Sequence, residues 1–362
     1  MTGFDKQNSL LTDTLIKDGY FAEEINNKKV FKLFSSVYDE YYALRRGVGL
    51  RIQMEHSILQ LTGKDSLDYL HRVSTNNIKE LPEGKVAKTI LTTDKGRILD
   101  CVNVVNLNEK LFLLGHQNTG TILHRWLDKF IITDDVKVEN LQNDYILIEL
   151  LGPQADSFIT LLFGKQVEAI EINSAKELYF DISNLYLIKE RNRLNGLQFK
   201  IIIKHHEAVN LINYALSNKG LFELKLIGEN AYKIFCIEEG ILSANELNDR
   251  FNPLEANLKE EISFTKGCYI GQEVVARLDA YDKVQKSIFG FEFERKILVD
   301  TFSPILDGDE NEVGVVTSTA CDCEKDRMIG MGYLKKNSDN SQLHIKVNSD
   351  KINVIPKNFP LI

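Results

Sequence analysis

Residues 266–277 read K-G-C-Y-I-G-Q-E-V-V-A-R. This one stretch carries a thiol (Cys268), a phenol (Tyr269), an amide (Gln272), a carboxylate (Glu273) and two cations (Lys266 and Arg277). Gly267 and Gly271 bracket the thiol and the phenol, and glycine lets a backbone take positive φ or approach a ligand closely. Core strands do not carry that density of polar chemistry. The stretch therefore reads as a turn-rich functional loop near the surface, with Gly271-Gln272-Glu273 opening a helix behind it.

Upstream of the loop, strands and helices alternate. Residues 8–46 read as helical, since Leu11, Leu15 and Ile16 recur at helical spacing and Arg45-Arg46 precede a C-capping Gly47. Tyr38, Tyr41 and Tyr42 are expected to pack on a neighbouring element. Val48 to Leu61 alternates as a strand. Asp65 is placed to cap a helix that buries Leu67, Leu70 and Val73 and stops at S-T-N-N (74–77). Residues 89–107 read as two strands around the turn D-K-G (94–96), followed by a strand at 111–116. The helix at 121–130 turns Leu123, Trp126, Leu127 and Phe130 inward. A strand at 145–151 leaves through Gly152-Pro153 into a helix. Strands at 185–189 and 197–203 and a helix at 206–216 follow. This split β-α-β order, met twice, predicts two α+β units of ferredoxin-like type. From residue 286 the pattern changes to short strands with turn residues between them (286–294, 311–319, 328–334, 343–347), which predicts a small antiparallel β-barrel.

Composition narrows the function. The chain has 362 residues, enough for two or three domains, with 43% hydrophobic and 27% charged residues, as in a soluble globular protein. No apolar run approaches a membrane span, and the start M-T-G-F-D-K-Q-N-S lacks the order of a secretion signal, so a cytoplasmic protein with no membrane partner is expected. The net charge of −8, with both signs interspersed, opposes direct nucleic-acid binding. Five scattered cysteines form no C-x-x-C pair, and Cys321 and Cys323 have the wrong spacing for a zinc knuckle, so no metal site is expected. Cys101, Cys236, Cys321 and Cys323 read as small packing residues. His205 and His206 are adjacent and point apart on any regular element. No dinucleotide fingerprint, P-loop, H-E-x-x-H or G-x-S-x-G is present.

Lys266 to Glu273 is similar to the signature of the YgfZ-type folate-binding proteins, a branch of the glycine-cleavage T-protein superfamily. P-L-E-A-N-L (253–258), I-S-F-T (262–265), R-R-G-V-G-L (45–50), residues 61–76 and L-T-T-D-K-G-R-I-L-D (91–100) extend the resemblance over most of residues 40–335. It implies an α+β fold with two interleaved ferredoxin-like units around a central channel, plus the C-terminal antiparallel β-barrel. The expected domains are 1–56 with 142–244, 57–141 with 245–285, and 286–362. It also implies tetrahydrofolate as cofactor, iron–sulfur client or assembly proteins as partners, and a role in iron–sulfur cluster assembly or repair that reaches tRNA-modifying enzymes.

On this reading Cys268 is the essential thiol, and Lys266, Tyr269, Gln272, Glu273 and Arg277 shape its setting and the folate site. Cations suit the glutamate tail of a folate. Thr75 and Asn76 are placed at the channel. Asp100 stands where T-proteins have the first of two adjacent aspartates, one of which assists one-carbon transfer; here Cys101 follows it. R-L-N-G-L (193–197) lacks the carboxylate of the comparable T-protein segment, and Cys268 replaces an aspartate-type residue. Arg191 and Arg193 read as a solvated loop. A folate-dependent aminomethyltransferase is the alternative reading, and an interaction scaffold without folate is the other.

Overall fold

The structure, a computed structural model, describes residues 11–25, 28–107, 109–191, 196–336, 342–348 and 350–361. The chain divides into two compact units: Met1–Leu70 with Ile78–Lys88 and Val102–Ala231, and His71–Asn77 with Thr89–Cys101 and Tyr232–Ile362.

The chain does not enter as one helix. Residues 11–17 are helical (α1), but a hairpin of β1 (Glu23–Ile25) and β2 (Lys28–Val30) intervenes before α2 (Val37–Arg46). The start of that expected helix, residues 8–10, lies outside the described residues. Ser36 caps α2 by accepting the Asp39 amide at 3.0 Å, acidic residues fill its first turn and arginines its last, and the Gly47 amide closes it on the Ala43 carbonyl. Only Tyr41 of the three tyrosines is buried. Tyr38 is half exposed and stacks on Tyr42, because it faces solvent.

The strand expected over 48–61 is two strands, β3 (Val48–Gln53) and β4 (His56–Thr62), broken by a turn at 54–55. Then come α3 (Ser66–Val73), β5 (Val86–Thr92), β6 (Ile98–Asn106), β7 (Leu111–Gln117), α4 (Gly120–Phe130), β8 (Lys137–Asn140) and β9 (Tyr145–Leu151). Asp65 precedes α3, and its carboxylate accepts the Asp135 amide at 2.8 Å. In α4, Leu123 and Leu127 are buried, while Trp126 and Phe130 meet edge to face on its flank. The chain continues through α5 (Ala155–Phe163), α6 (Lys165–Glu168), β10 (Ser174–Phe180), β11 (Ser183–Arg191), β12 (Leu197–Lys204), α7 (His205–Ser217), β13 (Leu224–Leu226) and α8 (Glu229–Glu239).

These strands build two sheets, ordered β5-β6-β7-β4-β8 and β10-β11-β12-β9-β3-β13. β13 is parallel to β3, whereas β3, β9, β12, β11 and β10 pair antiparallel. A core that includes Leu50, Ile148, Phe158, Phe199 and Leu211 fills the space between the six-stranded sheet and its helices. A second cluster, with Ile58, Phe112, Leu147 and Ile202, joins residues of both sheets. Charges enter this interior in pairs. Arg51 lies opposite Glu149 on the neighbouring strand and donates to it at 3.1 Å and to Glu229 at 2.9 Å. Gln53 adds a 2.7 Å bond to the same Glu149 oxygen.

In the second unit, α9 (Gln272–Ala280) precedes six strands: β14 (Lys286–Phe293), β15 (Ser303–Leu306), β16 (Glu312–Asp322), β17 (Arg327–Lys335), β18 (His344–Val347) and β19 (Asp350–Lys357). They close into a barrel in the order β14-β17-β16-β15-β18-β19, with antiparallel pairs throughout. Phe291, Ile305, Val316, Ile345 and Val354 fill its interior. The architecture is thus mixed α+β with a closed C-terminal antiparallel barrel. No helix among the described residues is long and apolar enough to cross a membrane.

Candidate functional site

The cysteine loop has little regular structure of its own, so its shape depends on hydrogen bonds to flanking segments. The Lys266 ammonium donates to the carbonyl oxygens of His71, Ser74 (2.7 Å) and Asn76 (2.8 Å), at and just beyond the C-terminal end of α3. Its amide bonds to the Ser263 hydroxyl at 3.3 Å. Carbonyls at a helix end lack internal partners and attract a cation. Burial pushes the Lys266 pKa down to about 8. Two residues past the thiol, the Ile270 carbonyl accepts the Thr92 hydroxyl. Cys268 itself is exposed.

Gly271 explains why the second glycine is there. Its φ is +82°, and a Cβ would stand 2.4 Å from the Thr93 carbonyl oxygen. It packs against the Thr93–Arg97 turn, where the Gly96 amide bonds to the Thr93 carbonyl at 2.9 Å. Gly267 does not take positive φ, and a Cβ there would meet nothing within 4 Å. Gly271 is followed at once by α9, as expected, and Val275 of that helix is fully buried.

Thr75 is fully buried. Its hydroxyl donates to the Glu261 carbonyl at 2.6 Å and accepts the Ile90 amide at 3.0 Å. The Asn76 amide bonds to the Thr89 hydroxyl at 2.9 Å, and its side chain accepts the Asn77 amide at 2.8 Å. Tyr269 is buried, its pKa raised to about 12 by that burial, and Lys266 Nζ lies 5.4 Å from its ring centre. Lys266, Thr75, Asn76 and Tyr269 therefore come together in one knot. Glu273 and Arg277 are exposed and, with Val274, Leu278 and Lys283, line an open hollow of about 200 Å³. Gln272 is the first residue of α9, and its amide bonds to the Tyr269 carbonyl.

Asp100 lies on β6, fully buried, and its carboxylate accepts the Cys101 amide at 2.8 Å. Arg191 is exposed, and Arg193 lies outside the described residues. His205 is buried with Nε2 3.2 Å from the Gln142 carbonyl, while His206 is exposed and leans toward Glu207. Cys321 is exposed rather than packed, because the end of β16 turns it outward.

Sequence reasoning missed Thr92 and the supports of 253–258. Glu255 accepts the Asn252 amide at 2.9 Å and pairs with Arg97, and Asn252 in turn accepts the amides of Leu254 and Glu255. The Asn followed by Pro at 252–253, a turn-initiating pair, was the available signal.

Over 322 residues the chain is 27% identical to an aminomethyltransferase of Natranaerobius thermophilus, covering 87% of this chain and 86% of that protein. It is 24% identical over 288 residues to an aminomethyltransferase of Staphylococcus carnosus, with 79% and 78% covered. A chloroplastic putative transferase of Arabidopsis thaliana is 24% identical over 280 residues, 77% of this chain and 63% of that one. The fold is similar to that of the glycine cleavage system aminomethyltransferase T of Bartonella henselae, with a TM-score of 0.84, 18% identity and 97% of each chain covered. The model of the GCVT N-terminal domain matches residues 18–266, and the chain belongs to that family.

Proposed function

We propose that the protein binds a reduced folate, tetrahydrofolate, and acts with it in one-carbon transfer of the aminomethyltransferase type. The observation that carries this reading is the 27% identity to an aminomethyltransferase along nearly the whole of both chains. In such a transfer an aminomethyl group leaves a carrier thiol, its carbon passes to the folate, and ammonia is released. Bound folate supplies the nitrogens that take up the carbon.

The residues fit the acidic end of this ligand. Arg277 and Lys283 present exposed cations beside the apolar Val274 and Leu278, a setting for a carboxylate-bearing tail. Asp100 supplies the carboxylate for proton handling, its position fixed by the Cys101 amide. Thr75 and Asn76 shape the site through the backbone they hold, since their side chains are bonded to it.

The test is a fluorescence titration with tetrahydrofolate, followed by an assay with an aminomethyl-loaded lipoyl carrier protein. Saturable binding and ammonia release are expected. Failure to bind at millimolar ligand would leave an interaction scaffold.

One observation favours a second reading. An exposed thiol on a stapled loop suits an accessory factor that serves iron–sulfur proteins, the role implied by the likeness of 266–273 to YgfZ-type proteins. Binding without turnover would point there. Cys268→Ala should then fold normally and fail to restore cluster-enzyme activity in a deletion strain, and full rescue would exclude a working thiol.

A further inference from the structure

The cation nearest to Cys268 in sequence is not arranged as a ligand for an anion. An ammonium has three protons in a tetrahedral fan, and Lys266 directs hydrogen bonds at three carbonyl oxygens, those of His71, Ser74 and Asn76. All three lie at or just past the end of α3, where the helix leaves carbonyls without internal partners. The same corner is tied again by Thr75, whose hydroxyl reaches the Glu261 carbonyl and whose own carbonyl accepts the Ser263 amide at 3.0 Å. On the other side of the thiol, Thr92 holds the Ile270 carbonyl and Gly271 seats against Thr93. Cys268 thus stands between two fixed points, two residues from each.

We infer that Lys266 is the positioning residue of the cysteine loop: by holding the carbonyls at the end of α3 it fixes where Cys268 stands, and it does not bind the ligand. A lysine that recruited an anionic ligand would have to give up bonds to these carbonyls, whereas Arg277 and Lys283 are exposed at the hollow. The inference holds whichever of the two functional readings is correct.

Hydrogen exchange on the full chain, wild type against Lys266→Met, is the test. Amide exchange at 74–77 and 267–271 should rise about tenfold, the change expected from losing roughly one charge-assisted hydrogen bond, while exchange in β16 and β17 stays unchanged. The pH profile of Cys268 alkylation by iodoacetamide should also move. Lys266→Arg, which keeps charged donors, should recover much of both effects. Unchanged exchange at the loop, or a uniform rise across the barrel as well, would overturn the inference. So would lost tetrahydrofolate binding with loop exchange and the alkylation profile intact. Should the Met variant not fold, acetylation of the wild type decides, with rates taken at the high-pH plateau where both amines are neutral: Lys266 should react at least about tenfold more slowly than Lys283, as expected for a hydrogen-bonded, half-buried amine, and equal plateau rates would refute the clamp.

Discussion

Each unit holds a cation out of open solvent, Arg51 buried and Lys266 half-buried, and the two are held in different ways. In the first unit, Arg51 is closed by carboxylates. It meets Glu149 and Glu229, with the Arg51 and Glu149 side chains only 4% and 7% exposed. In the second unit, Lys266 is closed by main-chain carbonyls. A carboxylate partner is itself a charge that must be compensated, so each member of the first pair depends on the other. Carbonyls at a helix end are neutral dipoles that water can also satisfy. The first arrangement is a commitment of the fold, the second an adjustable fastening.

The contrast is sharpest in Glu149→Ala. It leaves Arg51 inside with Glu229 and removes the acceptor of Gln53. A loss of about 3–5 kcal/mol is expected, as for breaking a buried pair, read from urea unfolding. A loss under about 1 kcal/mol would remove the distinction drawn here. At pH 7 Lys266→Met should lower global stability far less, by under about 0.5 kcal/mol, because its cost falls on local opening of the loop. A cost equal to that of Glu149→Ala would show the carbonyl-held cation to be just as integral.

The smallest effect is the pH drift of that second difference. Lys266 lies at about 8 in the folded protein against an ordinary 10.5. Between those values the unfolded chain keeps a proton that the folded chain has released. Stability therefore rises with pH through that window, and below it this group contributes no slope. The wild type should gain on Lys266→Met between pH 8 and 10 in paired unfolding curves, and the opposite slope would mean that the carbonyls hold the charged form more strongly than burial disfavours it.

Much of the fold was legible because period-2 patterns are strong where one face is buried. The two strands read within 89–107 and most barrel strands follow from it, and the helix read at 121–130 follows from its 3.6-residue spacing. The entry segment was misread because β1 and β2 are three residues each, too short to show a period, and only pairing makes them strands. Met54-Glu55 carries no glycine or proline to mark the break between β3 and β4. In the cysteine loop the reactive residue types were visible. Their partners were not, since the Lys266 bonds end on carbonyls that every residue possesses and no sequence displays. The pairing of Arg51 with Glu149 was equally hidden, because it depends on the register of strands 98 positions apart.

The barrel's closure has a consequence for the life of the chain in crowded solution. A ring of strands has no outermost member, so β14 to β19 present no row of open amides on which a neighbouring molecule could template. The open sheets do have terminal strands, β10 and β13 in one and β5 and β8 in the other. Any tendency of this protein to polymerise by strand addition should therefore begin at those ends rather than at the barrel.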